Sequence, residues 1–325
     1  MKTRLFASIM TGIGMLLWIS AAWCQSPPYP NRPIHIIVPF PPGGAVDPIA
    51  RSIGRKLEQA WGQPVVVDNK PGAATIVGAD FVAKAAPDGY TVILVATSFS
   101  VNPTAYSKLP FDPVKDFMPI SLVSKLPLLL AVNPQLPVNS VKELIDHLKA
   151  KPGQVNFSSI GNGSTQHLAG ELFKSVAGVN MVHIPYKGSG PSMLSVISGE
   201  TSVTFESFFL LTPQIKAGKL RALAAAGPRR SPLAPDLPTA SESGLPGFNV
   251  ESWVGFLAPA GTPQEVVQKW HREVSRIMQL PDIREQQIGQ GLEPVGSTPE
   301  FFGEFIKTEI AKWGKVVKQA GIRLD

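Results

Sequence analysis

The chain has 325 residues and a formal net charge of +6, with 44% hydrophobic and 17% charged residues. This composition predicts a folded chain with a sizeable buried core, in one large or two medium domains. The 32 prolines and 29 glycines are spread between periodic segments, which indicates stiff loops rather than disorder. The charge is mild, and no run of basic residues with interleaved aromatic residues is present apart from the pair Arg229-Arg230, so the sequence argues against nucleic-acid binding.

Residues 1–24 have the pattern of a cleaved secretory signal. Lys2 and Arg4 precede an apolar stretch over 6–22, which ends in the small residues Ala21-Ala22. A membrane anchor is the alternative, but a spanning helix needs about 20 apolar residues and the strictly apolar part here is shorter. Removing the segment takes away two basic residues and no acidic ones, which lowers the net charge from +6 to +4.

The single cysteine, Cys24, lies at the end of this segment. A lipid-anchored cysteine follows a small residue, whereas Trp23 stands here, so we expect no lipid anchor. If cleavage removes Cys24, the mature chain has no disulfide or thiol chemistry. We therefore expect a periplasmic protein, soluble after cleavage.

An apolar run predicts a first strand over 34–38, and a helical pattern follows over 48–61. The Gly-rich segment 39–47 between them is called the first loop below. Asp47 is a good N-cap, and Gly43-Gly44 allow the backbone to approach a ligand closely. Because free N–H groups at a helix N-terminus attract anions, the loop could hold a carboxylate. Taken alone, the segment favours an ordinary strand-to-helix turn, since such turns are common in α/β folds.

Strands and helices alternate along the rest of the chain. Strands are predicted over 65–67, 91–96, 126–132, 155–159, 181–185, 203–205, 220–226 and 253–258. Helices are predicted over 76–82, 141–149, 166–176, 191–197, 263–278 and 299–318, and 102–119 is expected to be irregular. The alternation favours parallel sheets.

The same order of strand, Gly-rich loop and helix recurs around Gly161-Asn162-Gly163. This segment, 160–165, is called the second loop, and Ser164 or Thr165 would cap its helix. Two such loops facing each other across a cleft would direct two positive helix ends at one anion. The alternative is that both loops only connect elements.

The pattern predicts an α/β fold of two lobes, each a mainly parallel sheet flanked by helices. We place lobe one at 25–127 plus 253–325 and lobe two at 128–252. The apolar segments at the two junctions would cross between the lobes and act as a hinge, an arrangement that suits a cleft closing on a ligand.

Catalytic signals are weak. The five histidines form neither an HExxH pattern nor a His/Cys metal cluster, and no nucleophile elbow or phosphate-binding loop is present. We therefore predict no cofactor, no metal and no enzyme. An exported hydrolase using Ser164 and His167 is the main alternative, although His167 would more commonly pack at the helix start. A structural or adhesive export protein is the third.

Several other side chains have two interpretations. Glu206 ends an apolar strand, where it either faces the cleft or caps the strand end; in the cleft it would select a ligand amine, hydroxyl or amide, or hold a water. Lys187 could pair with an acidic ligand group or with Glu206, or be solvated. Tyr186, Phe40 and Phe99 could form apolar walls of the cleft or simply pack in the core.

Distinctive stretches run along the whole mature length. They are Tyr29-Pro30, Pro39-Phe40 with Pro42-Gly43-Gly44 and Asp47, Asn69-Lys70-Pro71-Gly72-Ala73, Pro87-Asp88-Gly89-Tyr90, Gly161-Asn162-Gly163-Ser164 with His167-Leu168, Val182-His183-Ile184-Pro185-Tyr186-Lys187-Gly188, and Pro259-Ala260-Gly261-Thr262-Pro263. Together they resemble the Bug-type receptors of tripartite tricarboxylate transporters, a family of periplasmic solute-binding proteins.

The resemblance implies a two-lobed, hinge-closing fold of the periplasmic-binding-protein kind. It also implies that a small organic acid is gripped through a carboxylate between the two loops, partly through ordered water, and is delivered to membrane permease subunits. A monomer that binds no nucleic acid is expected. Ser98 and Tyr186 match cleft positions of the family. The candidate ligand contacts are Phe40, Gly43, Gly44, Asp47, Ser98, Gly161, Gly163, Ser164, Thr165, His167, Tyr186 and Glu206. The family often has Asp where this chain has Glu206, whose longer side chain fills more of the pocket.

Overall fold

The computed structural model describes residues 29–43 and 46–324. The predicted signal, Cys24 and Gly44 of the first loop lie outside the described residues. Across the described ranges, no helix is both long enough and apolar enough to cross a membrane.

Within these ranges, ten strands form one continuous sheet with the order β2-β1-β3-β9-β4-β7-β5-β6, while β8 and β10 each pair with β4. The strands are β1 (Ile34–Val38), β2 (Val65–Asn69), β3 (Thr91–Ala96), β4 (Phe117–Val132), β5 (Asn156–Ser159), β6 (Val182–Pro185), β7 (Val203–Ser207), β8 (Arg221–Ala225), β9 (Glu251–Pro259) and β10 (Glu293–Pro294). Most of them are short apolar or β-branched runs, as expected for strands covered on both faces.

Ten α-helices accompany the sheet in the described part of the chain. They are α1 (Val46–Trp61), α2 (Ile76–Ala83), α3 (Ser98–Ala105), α4 (Val141–Ala150), α5 (Thr165–Ala177), α6 (Ser189–Ser198), α7 (Phe208–Lys216), α8 (Gln264–Met278), α9 (Pro281–Gly289) and α10 (Pro299–Ala320). Hydroxyl side chains cap α4, α5 and α10, where Ser140, Ser164 and Thr298 accept from a backbone N–H in the first turn.

The sheet is parallel at its two ends and antiparallel in the middle. β1 pairs in parallel with β2 and β3, and β5 pairs in parallel with β6 and β7. β4 and β9 run antiparallel to every strand they contact in these ladders. The fold is therefore α/β with two lobes, each with a parallel group of strands flanked by helices.

The long strand β4 belongs to both groups. From Phe117 to Pro127 it pairs with β9, and from Leu128 onward it pairs with β7 and β8. A 16-residue strand rises about 50 Å at roughly 3.3 Å per residue, which is long enough to pair with strands of both groups. The lobes are thus joined through continuous hydrogen-bonded strands.

The described chain has separate apolar cores. One lies between β1, β3 and the helices α1 and α8, with Trp270 and Ile53 fully buried. Another lies around β4, β5 and β7 with α5, and contains the fully buried Phe157 and Phe173. This second core also includes Trp313 of α10, so the C-terminal helix packs against the part of the sheet that holds β5 and β7.

Five elements differ from the sequence-based expectation. The segment 102–119 is not irregular throughout, because α3 occupies its start and β4 begins at Phe117. The helices α7 and α9 and the short β10 were not predicted. Pro103 and Pro213 lie inside α3 and α7, where a proline normally argues against a helix.

Candidate functional site

The first loop is braced by a charged network behind it. The Asp47 carboxylate accepts from the Gly43 N–H at 3.1 Å, from Arg51 Nε at 3.0 Å and from Asn69 Nδ2 at 3.0 Å. Asn69 Nδ2 also donates to the Phe40 carbonyl at 3.0 Å. Gly43 has φ 78°, which favours glycine. The network fixes the course of the loop from the end of β1 into α1.

Asp47 is 5% exposed and lies in the first turn of α1 rather than just before it, so its predicted role as N-cap is wrong. Burial raises the pKa of its carboxyl, but the hydrogen bonds from Arg51, Asn69 and Gly43 outweigh burial and hold that pKa below its ordinary value. Asp47 is therefore ionised at neutral pH and fully engaged with its own loop.

The second loop is braced by neutral groups. Ser164 caps α5: its hydroxyl accepts from the His167 N–H at 3.2 Å and donates to the Gly161 carbonyl at 2.7 Å. The Gly161 N–H donates to Ser159 Oγ at 3.1 Å. The Gly163 N–H donates to Nδ1 of His167 at 3.1 Å. The loop thus uses its own glycine N–H groups for internal hydrogen bonds.

A pair of stacked histidines supports this loop from behind. The rings of His167 and His183 lie 3.8 Å apart at an interplanar angle of 14°, and Phe157 stacks on His183 at 4.9 Å. Burial lowers the pKa of His167 to about 3, helped by His183 and Lys174, and lowers the pKa of His183 to about 4. Both rings are therefore neutral at physiological pH.

A cavity of about 350 Å³ lies between the two loops. It is lined by Phe40, Pro41, Val46, Ala96, Thr97, Ser98, Leu126, Ile160, Gly163, Ser164, Thr165, Gln166, Ser189, Glu206, Ser207, Leu210 and Ser252. Seven of these residues carry a hydroxyl, and none of the described lining residues is Lys, Arg or His.

Five helices begin at this cavity. Val46, Ser98, Thr165 and Ser189 are the first residues of α1, α3, α5 and α6, and Ser207 immediately precedes α7. Each helix start offers backbone N–H groups without an intrahelical acceptor and the positive end of a helix dipole. The cavity is therefore suited to an anion although basic side chains are missing from its described lining.

Glu206 is the one charged side chain among the described lining residues. It is 4% exposed, and its Oε1 accepts from the Ser207 N–H at 2.7 Å. Gln166 Nε2 lies 3.3 Å from both carboxylate oxygens. The acid thus faces the space between the loops with neutral donors as its hydrogen-bond partners.

Half of the predicted contacts line the cavity: Phe40, Ser98, Gly163, Ser164, Thr165 and Glu206. Gly43, Asp47, Gly161 and His167 instead brace the loops from within or behind. The Tyr186 hydroxyl is buried near Ser195 and Glu200, and burial raises its pKa. Lys187 is exposed outside the lining, and Phe99 packs in a core with Phe111 and Phe117.

Sequence reasoning missed several lining residues, among them Thr97, Gln166, Ser189, Ser207 and Ser252. Ser207 and Ser189 flank the starts of α7 and α6, and a search for polar residues at every strand-to-helix junction would have found them. Ser252 belongs to the crossing strand β9, and its hydroxyl lies 3.2 Å from Thr97 Oγ1. No local signal marks that contact.

Ser164 and His167 do not form a nucleophile–base pair. The Ser164 hydroxyl donates to a carbonyl, and Nδ1 of His167 is occupied by the Gly163 N–H. Activation of a serine requires a hydrogen bond between its hydroxyl and the base. The geometry therefore gives the hydrolase alternative no support. In the described ranges, no group of three or more His, Cys, Asp or Glu side chains could hold a metal ion.

A larger cavity of about 430 Å³ lies against α10. Its lining includes Phe117, Pro119, Leu257, Glu300 and Lys307 and contains none of the predicted contacts. The starts of α8 and α10 lie in this groove, but no residue of either loop does, so the cavity between the loops is the candidate site.

Comparison with known proteins identifies the family of the chain. The family model described as "Tripartite tricarboxylate transporter family receptor" matches residues 49–322. Protein BugT of Bordetella pertussis is 39% identical over 324 residues, covering 99% of each chain. A structure of R. palustris Rpa4515 with adipate is 35% identical, covers 91% of this chain and 99% of its own, and has a TM-score of 0.78.

The periplasmic binding protein BugD is also 35% identical, with 91% of this chain and 99% of its own covered and a TM-score of 0.75. These relatives are solute-binding receptors, not enzymes, and the family is periplasmic. The chain belongs to the receptor family of the tripartite tricarboxylate transporters.

Proposed function

We propose that this chain captures a small organic acid in the cavity between the two loops and delivers it to the membrane permease subunits of a tripartite transporter. The observation that carries the proposal is the convergence of five helix starts on one cavity of about 350 Å³. The adipate found in Rpa4515 supports a carboxylate as the recognised group.

The carboxylate is held by backbone donors rather than by a charged side chain. The N–H groups of Gly43 and Gly163 are already engaged by Asp47 and His167. The remaining donors are the N–H groups of the first helical turns, such as those of Thr165 and Gln166, which have no intrahelical acceptor. Neighbouring hydroxyls, such as that of Ser98, supply further donors directly or through ordered water.

The chain divides into lobe one, 25–127 plus 253–325, and lobe two, 128–252. The change of partner along β4 after Pro127 and the end of its β9 ladder at Glu251 support these boundaries. Bending near these two points would close the first loop, in lobe one, on the second loop, in lobe two. We expect a ligand to lower the radius of gyration in small-angle scattering.

Export and oligomeric state are further parts of the proposed function. A signal over 1–24 is cleaved on export without lipidation of Cys24, and the mature receptor acts as a monomer. Mass spectrometry of the periplasmic protein and light scattering would test these two points.

The two-loop site is tested by comparing Gly163→Ala with Gly178→Ala. Both glycines have positive φ, 74° and 63°, so an alanine costs roughly 1–2 kcal/mol at either position. A Cβ on Gly163 would also lie 2.6 Å from Leu324 Cδ1, whereas one on Gly178 meets no atom within 4 Å. Gly178 ends α5 at the opposite end from the cavity.

The probes are monocarboxylates, dicarboxylates up to adipate and ω-amino acids. Their binding is measured by calorimetry and by the shift in melting temperature. We expect Gly163→Ala to weaken the tightest probe by about tenfold or more and Gly178→Ala to leave it unchanged. Equal affinities in the two variants would contradict the two-loop site.

A further inference from the structure

The buried carboxylate of Glu206 sets a condition on the ligand. Its described hydrogen-bond partners are the Ser207 N–H and the Gln166 amide, which are both neutral. None of the ion pairs among the described residues includes Glu206, although nearby structural acids such as Glu171 and Glu251 are paired with Lys174 and Lys125. Burial of a charge without a counter-charge is costly.

The described lining of the cavity cannot supply that counter-charge, since it contains no Lys, Arg or His. Lys187 lies just after the end of β6, but its side chain is exposed and absent from the lining. A cation that neutralises Glu206 in the closed site therefore has to arrive with the ligand or as a free ion.

A second carboxylate at this end would be repelled. Charges held a few ångströms apart in a partly buried site attract or repel each other more strongly than they do in water. A ligand ammonium beside Glu206 is therefore attracted to it, and a ligand carboxylate is repelled. The helix starts favour an anion elsewhere in the cavity, which leaves room for both charges of a zwitterion.

We propose that Glu206 and Gln166 form the subsite for a ligand ammonium group, so that the substrate class of this receptor is a small amino acid rather than a dicarboxylate. The inference rests on the proposed function, because the amino acid's carboxylate occupies the site between the loops. The apolar side chains of Phe40, Leu126 and Leu210 in the same lining accommodate the hydrocarbon part that connects the two charges.

The test uses probes of matched chain length. Adipate, 6-aminohexanoate and 6-hydroxyhexanoate share six carbons and one carboxylate, and differ at the far end in charge. Succinate and 4-aminobutyrate repeat the comparison with four carbons. Calorimetry at pH 7 measures each probe against the intact mature chain, Glu206→Gln and Glu171→Gln. Glu171→Gln is the control, because Glu171 is 9% exposed on α5 but outside the cavity lining.

We expect the wild-type chain to bind at least one amino acid about tenfold or more tightly than its matched dicarboxylate. Glu206→Gln removes the charge while keeping the shape, so it should abolish that preference, and Glu171→Gln should retain it. The thermal unfolding curve of each variant verifies folding.

Tighter binding of the dicarboxylate in both pairs would overturn the ammonium subsite, as would tighter binding of 6-hydroxyhexanoate than of 6-aminohexanoate. An unchanged preference in Glu206→Gln would do the same while leaving the carboxylate site between the loops intact. If no probe binds the wild-type chain, there is no affinity for Gly163→Ala to weaken, and both the subsite and the proposed function fail.

Discussion

The two loops have the same plan but are held in place by different chemistry. Each follows a parallel strand, contains a glycine with positive φ and leads into a helix whose start faces the cavity. The first loop is braced by an ionised Asp47 with Arg51 and Asn69, and the second by hydroxyls and two neutral histidines. Similar backbone geometry can therefore be held by a charged or a neutral network, and the two should respond differently to mutation and pH.

The largest effect is expected from Asp47→Ala in the first loop. The change removes the acceptor of the Gly43 N–H, one of the two acceptors of Asn69 Nδ2 and the ion-pair partner of Arg51. We expect the free energy of unfolding to fall by about 3 kcal/mol and carboxylate affinity to fall as the loop loses its shape.

Chemical denaturation and calorimetry measure the two quantities. The matched control is Asp146→Ala, which removes an exposed ion pair with Lys142 and should leave both quantities nearly unchanged. Similar losses in the two variants would show that the first loop does not depend on its charged brace.

The second loop should respond to acid. The pKa of His167 is lowered to about 3 and that of His183 to about 4, so between these values and pH 6.5 the unfolded chain binds protons that the native chain does not. The free energy of unfolding is therefore fully retained above pH 6.5 and falls as the pH drops, by up to about 1.4 kcal/mol per pH unit for each histidine.

His167→Asn sharpens this comparison, because its amide oxygen can still accept from the Gly163 N–H but does not titrate. Between pH 7 and pH 4, the free energy of unfolding measured with denaturant should fall less steeply in this variant than in the wild-type chain. Identical slopes for the wild-type chain and His167→Asn would rule out this source of acid sensitivity.

The smallest effect is expected from Ser164→Ala. Loss of the cap on α5 should cost about 1 kcal/mol of stability, and Ser140→Ala should cost the same on α4. Because Ser164 lines the cavity and Ser140 does not, only Ser164→Ala should also weaken carboxylate binding, by a few-fold in calorimetry. Equal affinities would place the Ser164 hydroxyl outside the ligand's contacts.

The parts predictable from sequence are local. The apolar runs of β1 and β3 and the Gly-rich loops that precede α1 and α5 carry their signals within about ten residues. The helices α3 and α7 were not predicted because each contains a proline. The first half of β4 was not predicted because Pro119 interrupts its apolar pattern. Its pairing with β9 joins segments more than 120 residues apart, which no local pattern encodes.

The candidate site shows the same limit. Ser164 and Gly163 were found because loop and cap lie side by side in sequence, whereas Gln166 meets Glu206 across 40 residues. The reassignment of Asp47 and His167 from ligand contacts to loop braces likewise depends on hydrogen bonds that only the folded chain shows. Residue types indicated the site, but their orientation decides which side chains reach the cavity.

The central claim is that one cavity between two helix-starting loops holds a carboxylate. A crystal structure of the mature chain grown with 6-aminohexanoate tests it most directly. We predict the carboxylate against the first-turn N–H groups of α1 and α5, and the ammonium at hydrogen-bond distance from Glu206. Ligand density in the groove beside α10 with an empty cavity between the loops would contradict the claim.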